Sequence, residues 1–181
     1  MAVKPKSLKP RGPKEILAEL LEVPTANGRL PMALHIETTR IDKETADMPP
    51  AMAQAAMQER YGTPFPSMDF SALSVTLQKI ARLQESGEPL TMAALDGEDR
   101  QRLAAASHTL SRLRNKEIYY STMMDSEVPS TDAAQRNLRI SRENATEQIP
   151  IYDRLMYLAD ELSNSLGITT ARSSGTQLPG K

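Results

Sequence analysis

The sequence predicts a mainly α-helical protein, built from a helical hairpin and a third, C-terminal helix. Three segments, at 69–86, 98–122 and 150–166, carry apolar residues spaced three and four apart, which lays one apolar stripe along each helix. The linker over 87–97 contains Gly87, Pro89 and Gly97, so we expect the first two helices to form a hairpin. An extended N-terminal arm, one strand and a flexible C-terminal tail complete the predicted fold.

The pattern divides the chain into four parts. Residues 1–15 are a basic, proline-rich arm, 16–68 hold short helices and an extended or strand segment, 69–166 are the helical region, and 167–181 are the flexible tail. Prolines in the arm favour extended backbone. The arm is either a solvated tail or a contact for nucleic acid or an acidic partner. Its basic side chains are Lys4, Lys6, Lys9, Arg11 and Lys14.

Short elements are predicted between the arm and the hairpin. A helix over 14–23 has Pro13 in its first turn and ends at Pro24. Strand-like alternation of apolar residues follows at Leu30, Met32, Leu34 and Ile36. Because no second strand of similar quality follows, we expect this one to pair with another chain or to lie on a surface. A small Ala/Met-rich helix over 51–60 is interpreted as filling a gap in the core.

The helical region shows capping signals and one ambiguous stretch. Ser67 or Asp69 is expected to cap the first helix, and acidic residues from Asp96 onward suit the start of the second. The polar stretch over 125–148 is either a solvent-covered helix or a connector. Pro150 is expected to start the last helix, which ends before Gly167. Leucines of the apolar stripes are the predicted assembly contacts: Leu73, Leu77, Leu103, Leu110, Leu155 and Leu162.

The composition indicates a chain that completes its burial against partners. It has 181 residues, a net charge of −1, 13 prolines, ten methionines, two phenylalanines and no tryptophan. Large rings usually dominate a core, so we expect this chain to have little core of its own. The absence of cysteine excludes disulfides and thiolate metal sites. No run of 18 apolar residues occurs, so no membrane span is predicted.

The sequence predicts no catalytic, metal or cofactor site, and we expect the protein not to be an enzyme. It contains no glycine-rich phosphate loop. His35 and His108 fit no zinc-ligand spacing. Ser173 and Ser174 have no histidine placed to activate them. Tyr119 and the residue after it adjoin a basic cluster, but mixed charges of that kind are typical of a solvated face.

The segment 168–175 reads Ile-Thr-Thr-Ala-Arg-Ser-Ser-Gly. These eight residues resemble the C-terminal segment of small virion proteins of short-tailed bacteriophages, which also have a basic N-terminus and are associated with the tail and genome ejection. The resemblance implies a structural virion protein of the tail or head-tail junction. It would be present in several copies, with ring symmetry, on portal, tail-tube or nozzle proteins. The residues that would dock on a partner are Arg172, Ser173, Ser174 and Gly175.

Two functional hypotheses follow from the sequence. In the first, the chain is such a virion component, which lies in the host cytoplasm during assembly and is then ejected with the genome or retained in the particle. In the second, it is a cytoplasmic helical adaptor or regulator that binds protein or nucleic acid through the basic arm. Salt-dependent binding of DNA that is lost when residues 1–14 are removed would favour the second hypothesis.

Overall fold

The fold is almost entirely helical. The computed structural model describes residues 11–23, 30–123 and 131–170. These residues form a 3-10 turn at Met92–Ala94, no strand, and seven α-helices: α1 (Pro13–Glu22), α2 (Leu30–Thr45), α3 (Pro50–Tyr61), α4 (Pro66–Glu85), α5 (Gly97–Ala104), α6 (Ala106–Met123) and α7 (Asp132–Ser165). The predicted mainly α fold is confirmed. Residues 1–10, which make up most of the predicted arm, lie outside the described part of the chain.

The predicted strand over 30–36 is wrong, because these residues form the first two turns of α2. Alternation over seven residues is too short to outweigh the helical period that continues beyond it. Leu34, Glu37 and Ile41 follow that period, and each is at most 2% exposed. The hydroxyl of Thr38 donates to the Leu34 carbonyl at 2.9 Å, as expected for threonine inside a helix. The predicted pairing of an unpartnered strand with another chain therefore has no basis here.

The two helices of the predicted hairpin exist, but they pair mainly with other helices. α4 packs along α2, and α6 packs along α7. The predicted second helix is divided at Ala105 into α5 and α6. Asp96 caps α5 as expected, since its side chain accepts a hydrogen bond from the Asp99 backbone N–H at 2.8 Å. The start of α4 differs from the prediction, because its N-cap is Phe65 and no side chain caps it.

α7 is one continuous helix of 34 residues, about 51 Å long, and Pro150 lies inside it. The prediction that Pro150 starts the last helix is therefore wrong, although proline removes a backbone hydrogen bond inside a helix. Packing on both sides of the proline explains why the helix continues, since Ala145 and Tyr152 are each 2% exposed. Gly167 ends the helix with a φ of 73°, and the Ile168 N–H donates to the Ser163 carbonyl at 2.9 Å.

One core cluster runs from Ile16 of α1 to Ile168 beyond α7. It crosses the predicted boundary between 16–68 and 69–166. It also corrects the expectation that the chain has little core of its own: leucine and isoleucine supply most of the mass, and the rings of Tyr61 and Phe70 meet edge to face at 5.7 Å. The first residues of the predicted tail lie against the core, since Ile168 and Thr170 are buried. Residues 171–181 lie outside the described part of the chain.

The six leucines predicted as assembly contacts all lie in this core. Each is at most 2% exposed: Leu73, Leu77, Leu103, Leu110, Leu155 and Leu162. A side chain with so little accessible surface offers a neighbouring subunit almost no contact area. These leucines therefore stabilise the chain's own fold.

We expect Leu77→Ala to lower the free energy of unfolding by roughly 2–5 kcal/mol, because it removes buried methyl groups and leaves a cavity. Urea denaturation followed by circular dichroism measures the change. Val75→Ala is the matched control in the same helix, since Val75 is 57% exposed, and it should stay within about 0.5 kcal/mol of the wild type. Equal effects of the two substitutions would contradict the burial of Leu77.

Candidate functional site

Five residues of α2, α3 and α6 form a buried ionic cluster: Glu37, Arg40, Tyr61, Lys116 and Glu117. Glu37 Oε1 accepts hydrogen bonds from the Tyr61 hydroxyl at 2.7 Å and from Arg40 Nη2 at 2.6 Å. Lys116 Nζ lies 3.3 Å from the same oxygen and 2.7 Å from Glu117 Oε1. Glu37 is 2% exposed and Lys116 is 8% exposed. Three helices are thus tied together at one carboxylate.

Burial and the neighbouring basic side chains have opposite effects on the pKa of each acid in the buried ionic cluster. Burial alone would raise the pKa of Glu37, but the hydrogen bond from Arg40 and the charge of Lys116 outweigh it and hold the pKa at about 2. Burial raises the pKa of Glu117, and the charge of Lys116 offsets only part of that effect. Burial likewise raises the pKa of Tyr61, and the neighbouring Glu37 adds to it. Glu37 is therefore a fixed anion.

The buried ionic cluster pairs its two carboxylates with two basic side chains, and Arg40 also contacts Glu44 at its edge. Its basic members donate to its own acids, so the groups that could act on a substrate are engaged by one another. Such a cluster stabilises one arrangement of helices when every partner is present. We interpret it as a structural element that fixes α2, α3 and α6 in place.

Of the predicted contacts for nucleic acid, Arg11 is engaged within the chain, Lys14 is exposed, and the others lie outside the described part of the chain. Arg11 donates to the carboxylates of Glu161 and Glu19, and these hydrogen bonds raise its pKa. Lys14 is exposed in the first turn of α1. Lys4, Lys6 and Lys9 lie in residues 1–10, outside the described ranges. The predicted docking residues of the tail also lie outside the described ranges: Arg172, Ser173, Ser174 and Gly175.

The adjacent tyrosines Tyr119 and Tyr120 are also engaged within the chain. The guanidinium carbon of Arg60 lies 5.7 Å from the ring centre of Tyr119 and 5.5 Å from that of Tyr120. The two rings meet edge to face at 5.8 Å. Arg60 Nη1 also lies 2.5 Å from a carboxylate oxygen of Glu44. Base stacking on these rings would therefore compete with an existing cation–π contact.

A groove of about 560 Å³ lies between the end of α6 and the first half of α7. Its lining carries both signs of charge, because Arg139 and Arg142 stand beside Glu143 and Glu147. Arg139 Nε lies 3.8 Å from Glu143 Oε1. Mixed charges of this kind select no particular ligand.

The surface has one concentration of exposed apolar side chains. Eight large hydrophobic residues are exposed in the described ranges, and five of them lie between residues 48 and 75: Met48, Met52, Phe65, Met68 and Val75. We call residues 48–75 the exposed apolar segment. Sequence reasoning placed the methionines of α3 in the core, which holds for Met57 at 3% exposure but not for Met52 at 64%. Methionine occurs both in cores and at binding surfaces, so the residue type alone does not predict whether a methionine is buried.

Comparison of the chain with protein-family models, curated proteins and solved structures finds no match. None of the helices described has the length and apolar character needed to cross a membrane. Across the same residues, no group of three or more His, Asp or Glu side chains is arranged to hold a metal ion. The interpretation of the surface therefore rests on its own geometry.

We expect Glu37→Gln to destabilise the fold at neutral pH by about 3–5 kcal/mol, because Arg40 would lose its buried counter-charge and Lys116 would keep only Glu117. The pKa of Glu37 is lowered from 4.5 to about 2. Its contribution of roughly 3 kcal/mol is therefore present above pH 4.5 and is lost as the pH falls toward 2. Urea denaturation at a series of pH values should show a smaller acid loss in Glu37→Gln than in the wild type.

Glu98→Gln is the matched control for that series. The Glu98 side chain is 77% exposed and pairs with Arg102 at the surface, so its loss should cost less than about 0.5 kcal/mol. An unfolding free energy of Glu37→Gln equal to that of the control would show that the buried ionic cluster does not stabilise the fold.

Glu117→Gln is expected to act in the opposite direction. The raised pKa of Glu117 favours its protonated form in the folded state, so stability is lost as the pH rises through that pKa. Glutamine resembles the protonated acid. The variant should therefore unfold at higher urea than the wild type at about pH 8, and the difference should shrink at about pH 4. A difference that grows as the pH falls would contradict the assignment.

Proposed function

We propose that the chain is a structural virion protein of a short-tailed bacteriophage, located at the tail or head-tail junction. It would assemble in several copies against portal, tail-tube or nozzle proteins. The observation that carries this proposal is the exposed apolar segment. Interface cores are enriched in methionine and aromatic residues and depleted of charge. The exposed side chains of the segment include three methionines and Phe65, and its only charged residues are Glu59, Arg60 and Asp69.

The proposed action is mechanical. The buried ionic cluster and the core around it make α2, α3, α6 and α7 one packed unit, which presents the exposed apolar segment at a fixed position. Neighbouring subunits would bury Met52 and Phe65, which are 64% and 52% exposed. Symmetric repetition multiplies modest contacts of this size, so each interface need not be strong by itself.

The virion location rests on the resemblance of residues 168–175 to the tail segment of phage virion proteins. The structure keeps the first three of these residues next to the core, where Ile168 and Thr170 are buried. The proposed docking residues Arg172 to Gly175 follow shortly after in the sequence. The basic arm precedes α1 in the sequence, and α1 packs on α7.

The cytoplasmic adaptor remains the alternative, because a single cellular protein would also bind an exposed apolar segment. The two functions differ in where the protein is found. In the virion function, phage particles purified from cells that carry the gene should contain several copies of the chain per particle, as measured by quantitative mass spectrometry against the major capsid protein. Recovery of the chain only from the soluble cell fraction would refute the virion function and favour the adaptor.

We expect Met52→Glu to reduce incorporation of the chain into particles by at least about tenfold, because it places a charge in the contact. Met92→Glu is the matched control, since Met92 is 43% exposed and lies outside the exposed apolar segment. Both variants should keep the wild-type unfolding free energy, because neither side chain is buried. Normal incorporation of Met52→Glu would show that α3 is not part of the assembly contact.

A further inference from the structure

A groove lies between α1 and α4, which both pack on α2. One hollow of about 370 Å³ lies between the start of α1 at Gly12 and the chain that follows α4 at Glu88. A second hollow of about 310 Å³ lies between the end of α1 at Glu22 and the last part of α4. Lys14 and Gln84 line both hollows. The two hollows therefore form one groove that runs along α1, which we call the α1–α4 groove.

The α1–α4 groove has an apolar floor and an acidic rim. Its floor includes half-buried aliphatic side chains: Ala18, Leu21, Ala81 and Leu90. Its rim carries four exposed glutamates: Glu15, Glu22, Glu85 and Glu88. A segment with both apolar and basic side chains would match the two parts of this surface.

The acidic rim is not neutralised by the described part of the chain. Lys14 is the one basic side chain among the lining residues, and it forms no ion pair with a described residue. Glu15 accepts a hydrogen bond of 3.4 Å from the backbone N–H of Gly12. The other three glutamates of the rim form no ion pair with a described residue. The groove therefore has an excess of negative charge.

The other basic side chains on or beside α1 and α4 do not change this balance. Arg82 is exposed in the last turn of α4 and lines neither hollow. The guanidinium of Arg11 donates to Glu19 and Glu161 instead. Lys79 is paired with two carboxylates at the start of α5. The charge that the rim lacks must come from residues outside the described ranges or from another molecule.

We propose that residues 1–10 of the basic arm dock in the α1–α4 groove of the same chain. This segment contains no acidic residue and three lysines: Lys4, Lys6 and Lys9. Its charge is therefore complementary to the rim. It is also joined directly to the groove, because Gly12 and Pro13 line the first hollow. The inference does not rest on the proposed function, since it concerns a contact within one chain.

The reach of the arm matches the length of the groove. α1 has ten residues and is about 15 Å long. Extended polyproline backbone advances about 3.1 Å per residue, so the segment from Lys4 to Lys9 covers about the same distance. Pro10 and Gly12, at the junction with α1, are residue types that chain reversals favour. All three lysines can therefore lie along the rim.

The apolar residues of the arm suit the floor. In polyproline geometry every third residue lies on the same side, which places Pro5 and Leu8 together. Lys6 and Lys9 share a different side and suit the rim. The groove also offers a hydrogen-bond acceptor, because Gln84 Oε1 is buried and has no donor within the described part of the chain. The N–H groups of the arm are donors that this oxygen lacks.

Attachment favours the arm over a separate partner of the same chemistry. A segment on a short linker has an effective concentration on the order of millimolar at its own binding site. Docking withholds the three lysines of the arm from nucleic acid and from acidic partners. The α1–α4 groove is then an internal competitor for every anionic ligand of the arm.

Paramagnetic broadening in NMR spectra of the full chain tests the proposal. A nitroxide on Ser7→Cys is a single label, because the chain has no cysteine of its own. At roughly 50 mM salt the amide signals of Ala18 and Ala81 should lose at least about half of their intensity, and they should recover at roughly 500 mM, where exposed charges are screened. The signal of Ile140 should be unchanged, since it lies about 21 Å along α7 from the α1 contact at Arg154.

Charge-removing variants show whether the rim holds the arm. Glu85→Gln with Glu88→Gln should reduce the broadening by at least about half at low salt, because two carboxylates of the rim are lost. Glu143→Gln with Glu147→Gln is the matched control. It changes the net charge equally at exposed positions outside the groove and should leave the broadening unchanged. All four side chains are exposed, so both variants should keep the wild-type midpoint of urea unfolding.

A mixed sample shows whether the contact lies within one chain. Isotope-labelled chains without nitroxide are mixed with nitroxide-carrying chains that have no isotope label. The signals of the groove should then stay sharp, and broadening would assign the arm to a neighbouring copy and overturn the proposal. The absence of broadening at the groove in the singly labelled chain, or equal broadening in the two charge-removing variants, would overturn it as well.

Discussion

The fold depends on one buried carboxylate. Glu37 lies on the inner face of α2 between Leu34 and Ile41, where an unpaired charge would cost several kcal/mol. Besides Arg40 on the same helix, two of its partners are distant in the sequence: Tyr61 ends α3 and Lys116 lies on α6. Burying Glu37 therefore requires α2, α3 and α6 to meet at one point. The aliphatic core supplies most of the burial energy, and the ionic contacts select the arrangement in which every charge has a partner.

This arrangement determines which surfaces remain for partners. α2 occupies the inner side of α4, and α7 extends along α6, so among the described helices none covers the outer side of α4 or much of α3. Most of the large hydrophobic residues that are exposed in the described ranges lie in or next to these two helices. The leucines of the core are buried within one chain, so the proposed assembly contact would fall on this surface.

The amino-acid composition led to the wrong prediction that the chain has little core of its own. Two phenylalanines and no tryptophan suggested a small core, yet leucine and isoleucine on six of the seven described helices supply most of it, with Tyr61, Phe70 and Tyr152 as the large rings. The predicted strand failed for a related reason. Seven alternating residues fit a strand locally, whereas the helical spacing of the buried residues continues from Leu34 to Ile41 and favours a helix. In both cases a local property of the sequence gave a wrong prediction, because tertiary packing over a longer stretch favoured a different structure.

The sequence by itself determined the helices of long, regular period, the Asp96 cap and the end of α7 at Gly167, because these depend on spacing and backbone chemistry within a few residues. Only the tertiary structure decided the rest. An apolar stripe shows that a face is covered but not by which helix, so the pairing of α2 with α4 and of α6 with α7 could not be read from it. The contact between Glu37 and Lys116 could not be predicted from the sequence either. The same holds for the exposure of Met52 and the burial of Met57, because both depend on contacts between residues far apart in the chain.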